Sequence, residues 1–333
     1  MVGQDMTMNA GASGRRYCVI SPVRDESKFM RRTLDSVLAQ TVPPTLWVIV
    51  DDGSTDATPE ILQEYAARHP SIRIVTRARG LARRVGGGVV EAFNDALATV
   101  DLDRFDYLCK LDMDLDLPPR YFEGLLELME ADPRLGTFSG KAYFPGPGNP
   151  EGRWGGELIS EEIGDDVSIG AAKFWRARCF REIGGLVVGV MWDGIDCYTA
   201  RMKGWKVGSI DREDLRFIHL RPMGSSVGSI FTGRQRWGRG HWFMGSSPLF
   251  VLASAVNRAR YRPVVLGSLA MLWGYLKAAW SGHERFEDAE FRQYLRRYQH
   301  ALIRHGKMRA RDRFEAAGAG VWKDETPVKV AAE

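Results

Sequence analysis

Asp112, Asp114 and Asp116 alternate along Leu111-Asp112-Met113-Asp114-Leu115-Asp116-Leu117-Pro118-Pro119, just after the apolar run Tyr107-Leu108-Cys109. Hard oxygen ligands on one short segment suit a divalent ion, Mg²⁺ or Mn²⁺, shared with a substrate diphosphate. An isolated D-x-D would equally describe a solvated turn after an edge strand. A second cluster argues against that reading. Leu46-Trp47-Val48-Ile49-Val50 runs into Asp51-Asp52-Gly53-Ser54-Thr55-Asp56, another apolar strand that ends in carboxylates and a tight turn.

The elements that must position these groups follow from periodicity. Tyr17-Cys18-Val19-Ile20 reads as a strand that breaks at Ser21-Pro22, and Met30, Leu34, Val37, Leu38 and Thr41 then recur at helical spacing before Pro43-Pro44. Helices are expected over 59–68, 89–100 and 120–130, with strands at 72–75, before Asp112 and over 135–139. Single helices between strands imply an α/β fold with a mostly parallel central sheet and right-handed crossovers. Such sheets bind ligands beyond the carboxyl ends of their strands, where Ser21 to Glu26, Asp51 to Asp56 and Asp112 to Asp116 all fall. From Gly140 to Asp166 the pattern fades into Gly, Pro and acidic residues, which suggests a mobile segment or a surface hairpin. Beyond it come a short strand, Ala172-Lys173-Phe174-Trp175, and helices around 178–183 and 194–203 closed by glycines.

Composition narrows the function classes. The 333 residues are 44% hydrophobic and 26% charged, enough for one large or two modest domains. A net charge of +4 without a basic, aromatic-interleaved segment gives no case for nucleic acid. Cys18, Cys109, Cys179 and Cys197 are far apart and read as buried free thiols in a reducing compartment. Residues 1–14 are small and polar, without the apolar core of a secretory signal. They are expected to form a disordered arm, with the catalytic part facing the cytosol.

Together these motifs resemble the glycosyltransferase family 2 enzymes of GT-A (Rossmann-like) fold. Ser21-Pro22-Val23-Arg24-Asp25-Glu26 is similar to the family's P-x-x-N-E, with Asp25 in place of Asn. Val50-Asp51-Asp52-Gly53-Ser54-Thr55-Asp56 matches V-D-D-G-S-x-D, and Asp112-Met113-Asp114 fits the family D-x-D. The resemblance covers roughly residues 16–245. It implies a nucleotide-sugar donor, a UDP-sugar foremost, held by Pro22, Asp25, Glu26, Asp52 and Asp112. It also implies a metal on Asp114, the direct ligand in similar enzymes, with Asp112 and His219 beside it. Trp192-Asp193-Gly194-Ile195-Asp196 lies in the place of the family's E-D motif, with Trp192 where Glu is usual.

Chemistry independent of the family asks for the same groups. A nucleotide sugar needs its base and ribose held by polar groups and its diphosphate neutralised, and an inverting transfer needs one carboxylate to take the acceptor hydroxyl's proton. Asp193 is the candidate base, against the competing role of helix N-cap. Asp196, one turn on, is expected to cap the helix or assist the acceptor. Arg79, Arg83 and Arg84 ahead of Gly86-Gly87-Gly88 suggest a donor-phosphate loop. His219, with Arg221 two residues along, is either a ligand or phosphate contact, or a structural histidine. Gly233-Arg234-Gln235-Arg236-Trp237-Gly238-Arg239-Gly240 is similar to the Q-x-x-R-W acceptor motif with Gly233 replacing Gln, so Arg236 and Trp237 are acceptor candidates.

Residues 263–280 form an apolar stretch near the lower limit for a spanning helix. Downstream, Phe291, Tyr294, Leu295, Tyr298 and Leu302 recur at helical spacing among seven Arg and Lys residues. This pattern suggests a helical extension lying on an anionic leaflet, against a helical subdomain with a solvated basic face. The expected organisation is an arm (1–14), a catalytic domain (15–245, its donor half ending near 140), a helical, membrane-associating region (246–318) and a tail (319–333). The expected function is inverting, metal-dependent sugar transfer to a glycan or lipid-linked acceptor at the cytoplasmic face of a membrane. A soluble cytoplasmic enzyme, a catalytically silent carbohydrate-binding scaffold and a nucleotidyltransferase are the alternatives. The last would need a Gly-rich basic loop after its first strand, which Ser21 to Glu26 lacks.

Overall fold

The computed structural model describes residues 15–77, 87–221, 230–259 and 264–324. The first part alternates as expected: β1 (Tyr17–Val23), α1 (Met30–Leu38), β2 (Leu46–Asp51), α2 (Thr58–Arg68), β3 (Ile72–Thr76), α3 (Gly87–Leu97) and β4 (Tyr107–Leu111). β1 lies between β2 and β4, and β2 pairs with β3, all in parallel. Every residue of β2 and β4 is buried, as near-continuous apolar strands covered on both faces must be. Parallel pairing puts the exits of β1, β2 and β4 at one end of the sheet, and with them all three carboxylate loops.

The middle of the chain departs from simple alternation. β5 (Leu115–Asp116), α4 (Tyr121–Ala131), β6 (Leu135–Ser139), β7 (Lys141–Pro145), β8 (Leu158–Ser160), β9 (Ala172–Arg176), α5 (Ala177–Glu182), α6 (Trp192–Met202), β10 (Lys206–Ser209) and β11 (Arg216–His219) follow. The large sheet has the order β10-β6-β9-β4-β1-β2-β3, and β9 runs antiparallel to both neighbours. Hydrophobic pattern reports burial and not direction, so the reversal of β9 was not legible in the sequence. The Gly- and Pro-rich stretch after residue 140 forms the antiparallel pair β7 and β8, the hairpin alternative. With β5 and β11 these strands build a second sheet in the order β5-β11-β7-β8.

Successive residues of β9 enter different cores. Phe174 stacks on Tyr107 at 5.5 Å on one face, while Trp175 meets Phe180 at 5.3 Å on the other. Two aromatic layers therefore clamp the strand that carries Lys173 between them.

The remainder is helical: α7 (Ile230–Met244), α8 (Pro248–Arg258), α9 (Leu266–Trp280), α10 (Ala289–His305) and α11 (Lys307–Gly318). α10 joins this group to the catalytic part through Phe291 and Leu295, which pack with Ile195 of α6 and Met244 of α7. By its contacts α7 belongs with the helices that follow it, although the expected domain boundary falls after it. Gly238 of α7 and Gly274 of α9 mark the closest crossing. A Cβ on Gly238 would strike the Met271 carbonyl and lie 2.6 Å from the Tyr275 nitrogen, and one on Gly274 would strike the Gln235 carbonyl. Among the described residues no helix is long and apolar enough to cross a membrane.

Gly274→Leu should therefore force α7 and α9 apart. The expected result is a loss of about 1–3 kcal/mol in stability, with new proteolytic cleavage confined to residues beyond 230, read by urea melts and limited digestion.

Candidate active site

The first two loops are laced to each other before any ligand is considered. Asp51 accepts the Ser54 backbone N–H at 2.9 Å, and Asp56 accepts those of Ser27 at 3.0 Å and Thr58 at 2.9 Å. Burial opposes the ionised form of Asp56, but these donors outweigh it and hold the carboxyl at about 2. Asp25 sits at φ 54° and accepts the Thr55 backbone N–H at 2.7 Å, so it joins the loops from the other side. A non-glycine residue held in this left-handed region is expected where the surroundings over-determine it. Pro22 is inside β1, opposite Val50. Asp52 pairs with Arg77 at 2.6 Å, which in turn meets Asp95 at 2.7 Å. Arg79 and Arg83 lie outside the described residues.

The D-x-D carboxylates point to different partners. Asp114 is buried, 2.6 Å from Arg221 Nε and 3.4 Å from His219 Nε2, and Arg221 also pairs with the buried Glu26. His219 Nδ1 meets Glu161 Oε1 at 3.0 Å. Burial works against the imidazolium, yet Asp114 and Glu161 outweigh it and push His219 up to about 10. Asp114, for its part, is held below the usual carboxylate range against its burial by His219 and Arg221. Asp112 pairs with Lys110, and its backbone N–H bonds the Ala171 carbonyl at 2.8 Å. Asp116, weighed as an extra ligand or a solvated side chain, is neither. It is buried and paired with Arg32 at 2.7 Å, which fixes α1 to the D-x-D segment.

No three His, Cys, Asp or Glu side chains stand together as a ready metal-ligand set among the described residues. The carboxylate oxygens of Asp114 and Asp112 nevertheless suit Mn²⁺ or Mg²⁺, while His219 would add an imidazole nitrogen only on losing the proton that Asp114 and Glu161 hold on it. In the structure the counter-cation to Asp114 and Glu26 is Arg221.

A buried pair of lysines joins this loop to α6. Lys110 of β4 and Lys173 of β9 are cross-strand partners, with side chains 3% and 0% exposed. Like charges placed so would repel strongly, and each has its own carboxylate: Asp112 for Lys110, and Asp196 at 2.5 Å for Lys173. Trp192 lies over both ammonium groups, its ring centroid 5.4 Å from Lys110 and 5.7 Å from Lys173. The departure from the family pattern at this position therefore places an aromatic face over two cations. Asp196 also accepts the Trp175 indole N–H at 2.9 Å and is 3% exposed, so it fixes α6 from within instead of reaching an acceptor.

Asp193 is different. It is half-buried in the first turn of α6, and Lys173 binds its backbone carbonyl at 2.6 Å. Its carboxylate lies against Gly170, where a Cβ would come 3.0 Å from Oδ2. The Gly170 carbonyl is itself held by Lys110 at 2.9 Å. Asp112 and Asp193 thus flank one backbone segment: Lys110 ties Asp112 to Gly170, and Lys173 holds the Asp193 carbonyl. Met191, which precedes α6 at φ 67°, is braced by Gly240 of α7. Arg236, one turn before Gly240 on the same helix face, is half-buried. Trp237 instead packs in the helical region, with Arg234 and Arg258 at 4.6 and 4.7 Å from its ring. Its ring is partly buried in helix packing.

Sequence reasoning passed over Lys110, Lys173, Gly170 and Glu161. Lys110 had a signal, a charge inside an apolar strand two residues before an aspartate and so on its face. Glu161 had none.

The model of glycosyl transferase family 2 matches residues 18–176, from β1 to the end of β9. This chain carries a glycosyl transferase family 2 domain. The chondroitin synthase of Escherichia coli is 36% identical over 111 residues, 33% of this chain and 15% of that protein. An uncharacterized glycosyltransferase, EpsJ, of Bacillus subtilis is 31% identical over 88 residues, 26% of each chain. The chain thus matches 15% and 26% of the length of these two relatives. The crystal structure of GalNAc-T7 with UDP, GalNAc and Mn²⁺ superposes with a TM-score of 0.52 at 13% identity, covering 88% of this chain and 58% of that one. That likeness concerns the fold, and the GT-A architecture expected from the motifs is the one found.

Asp196→Ala should leave Lys173 buried and unpaired. We expect a loss of about 3–5 kcal/mol in chemical denaturation, while the double change Lys173→Met with Asp196→Leu recovers much of it.

Proposed function

We propose that the chain transfers a sugar, with inversion, from a nucleotide-diphosphate donor, foremost a UDP-sugar, to a hydroxyl of a glycan or lipid-linked acceptor. The observation that carries this reading is the placement of Asp193 across Gly170 from Asp112. On this reading Asp193 is the base on one side of Gly170, and Asp112 faces the diphosphate from the other. The loops of β1 and β2 present Pro22, Asp25, Glu26 and Asp52 at the same sheet end, where base and ribose would sit. Asp114, with Asp112 and His219, would hold a Mg²⁺ or Mn²⁺ ion, which neutralises charge on the diphosphate.

The chain's own residues then divide the work. Arg221 supplies positive charge beside the leaving group and can turn from Glu26 toward phosphate oxygens. Lys110 fixes the Asp112 carboxylate and the Gly170 backbone, so the donor and base sides keep a set separation. Asp193 accepts the proton of the acceptor hydroxyl as its oxygen attacks the anomeric carbon opposite the leaving diphosphate. Arg236, on the α7 face that braces Met191, is placed to meet the acceptor.

Donor binding and turnover separate this reading from a silent carbohydrate-binding scaffold. Calorimetry of UDP-, GDP- and dTDP-sugars with and without Mn²⁺ should give one metal-dependent donor, and Asp114→Asn should abolish that dependence. A protein that binds none of them sinks the assignment. Asp193→Asn should keep donor affinity and lower turnover about a hundredfold or more. Gly170→Ala, which crowds Asp193 without touching its chemistry, should lower kcat about tenfold at unchanged donor KM.

A further inference from the structure

The helical region carries large apolar side chains on its outer surface. On α9, Leu266, Leu269, Trp273, Leu276 and Trp280 are 48–79% exposed. Their spacing of three and four residues puts them in one stripe. The opposite side of the helix, Met271, Gly274, Tyr275 and Ala278, is buried. On α8, which packs beside α9, Leu249, Leu252 and Val256 make a second stripe, 52–70% exposed. Val264 and Val265 extend the apolar surface through the turn before α9. Ten such side chains along one helical hairpin exceed what scattered surface residues explain.

Charge says what kind of partner fits. Between residues 246 and 318 there are thirteen Lys and Arg against six Asp and Glu, a net of +7 in a chain whose total is +4. The rest of the protein is therefore net acidic, and positive charge is concentrated in the region that bears the apolar stripes. Apolar surface within a basic region complements an anionic leaflet, where acyl chains receive one and headgroups the other. Trp273 and Trp280 meet edge to face at 6.5 Å at the end of the stripe, and indoles favour the headgroup boundary. Length decides the orientation. The 15 residues of α9 span about 22 Å, short of a hydrocarbon core of about 30 Å, so the helix has to lie along the surface.

We propose that the outer stripes of α8 and α9 seat this chain in the plane of an anionic lipid leaflet. This surface stands independently of the sugar-transfer reading and is linked to the candidate site by one helix. α9 packs on α7 through Gly238 and Gly274, and Gly240 of α7 braces Met191 ahead of Asp193. Seating α9 on a leaflet would thus hold the acceptor side of the cleft near the membrane.

The test is flotation of the full chain with phosphatidylcholine vesicles, with and without phosphatidylglycerol. Wild type should float with the anionic vesicles, less with the neutral ones and less at high salt. Leu269→Glu with Trp273→Glu, and separately Leu252→Glu with Val256→Glu, should each reduce flotation about tenfold or more while melting temperature and donor hydrolysis stay unchanged. These side chains are exposed, so both variants should fold, and the second pair guards against local failure of the first. Flotation of the variants equal to wild type overturns the proposal. So does a wild type that binds neither vesicle, including one that forms a dimer broken by the same substitutions, since that outcome gives the face to a second copy of the chain.

Discussion

Two lysines buried opposite each other on neighbouring strands constrain everything around them. Lys110 and Lys173 are tolerated because Asp112, Asp196, the Gly170 carbonyl, the Asp193 carbonyl and the Trp192 ring surround them. Removing a partner from such a set exposes an uncompensated charge in a low-dielectric interior. The D-x-D loop, the segment before β9 and the start of α6 therefore cannot move independently. The backbone at Asp112, Gly170 and Asp193 is held in one arrangement by that electrostatic need.

A second ionic group lies at the same end of the sheet. Arg221 links Glu26 from the first loop to Asp114, and His219 links Asp114 to Glu161. These contacts tie the small sheet to the large one at the sheet end where the loops emerge. His219 and Arg221 also hold the Asp114 carboxyl below the usual carboxylate range against its burial. The helical region presses on this arrangement from outside, with α10 against α6 and α7 against Met191.

Much of the catalytic fold was legible because parallel strands buried on both faces leave a plain signature. The apolar runs ending in Asp51 and Asp112 located β2 and β4, and pairing of adjacent parallel strands followed from the helices between them. The roles of individual acidic residues were less legible. Asp51, Asp56, Asp116 and Asp196 look alike in sequence to Asp193, yet Asp51 and Asp56 accept backbone amides while Asp116 and Asp196 are buried against Arg32 and Lys173. Trp237 likewise carried an acceptor signal and is partly buried in helix packing, because whether a ring faces a cleft or a neighbouring helix depends on where α8 and α9 dock.

The sequence by itself determined the local elements and the loops in which carboxylates would gather, since hydrophobic period and turn residues act over a few positions. Tertiary structure alone decided the antiparallel entry of β9, the pairing of Lys110 with Lys173 and the contact of Asp193 with Gly170. Those features join residues from about twenty to about seventy positions apart, and no short-range pattern encodes strand direction or the partner of a buried charge. The same division holds for the C-terminal helices. Their apolar character was plain from composition, but which face is buried against α7 and which is left outward depended on the glycine crossing that sets how α9 lies.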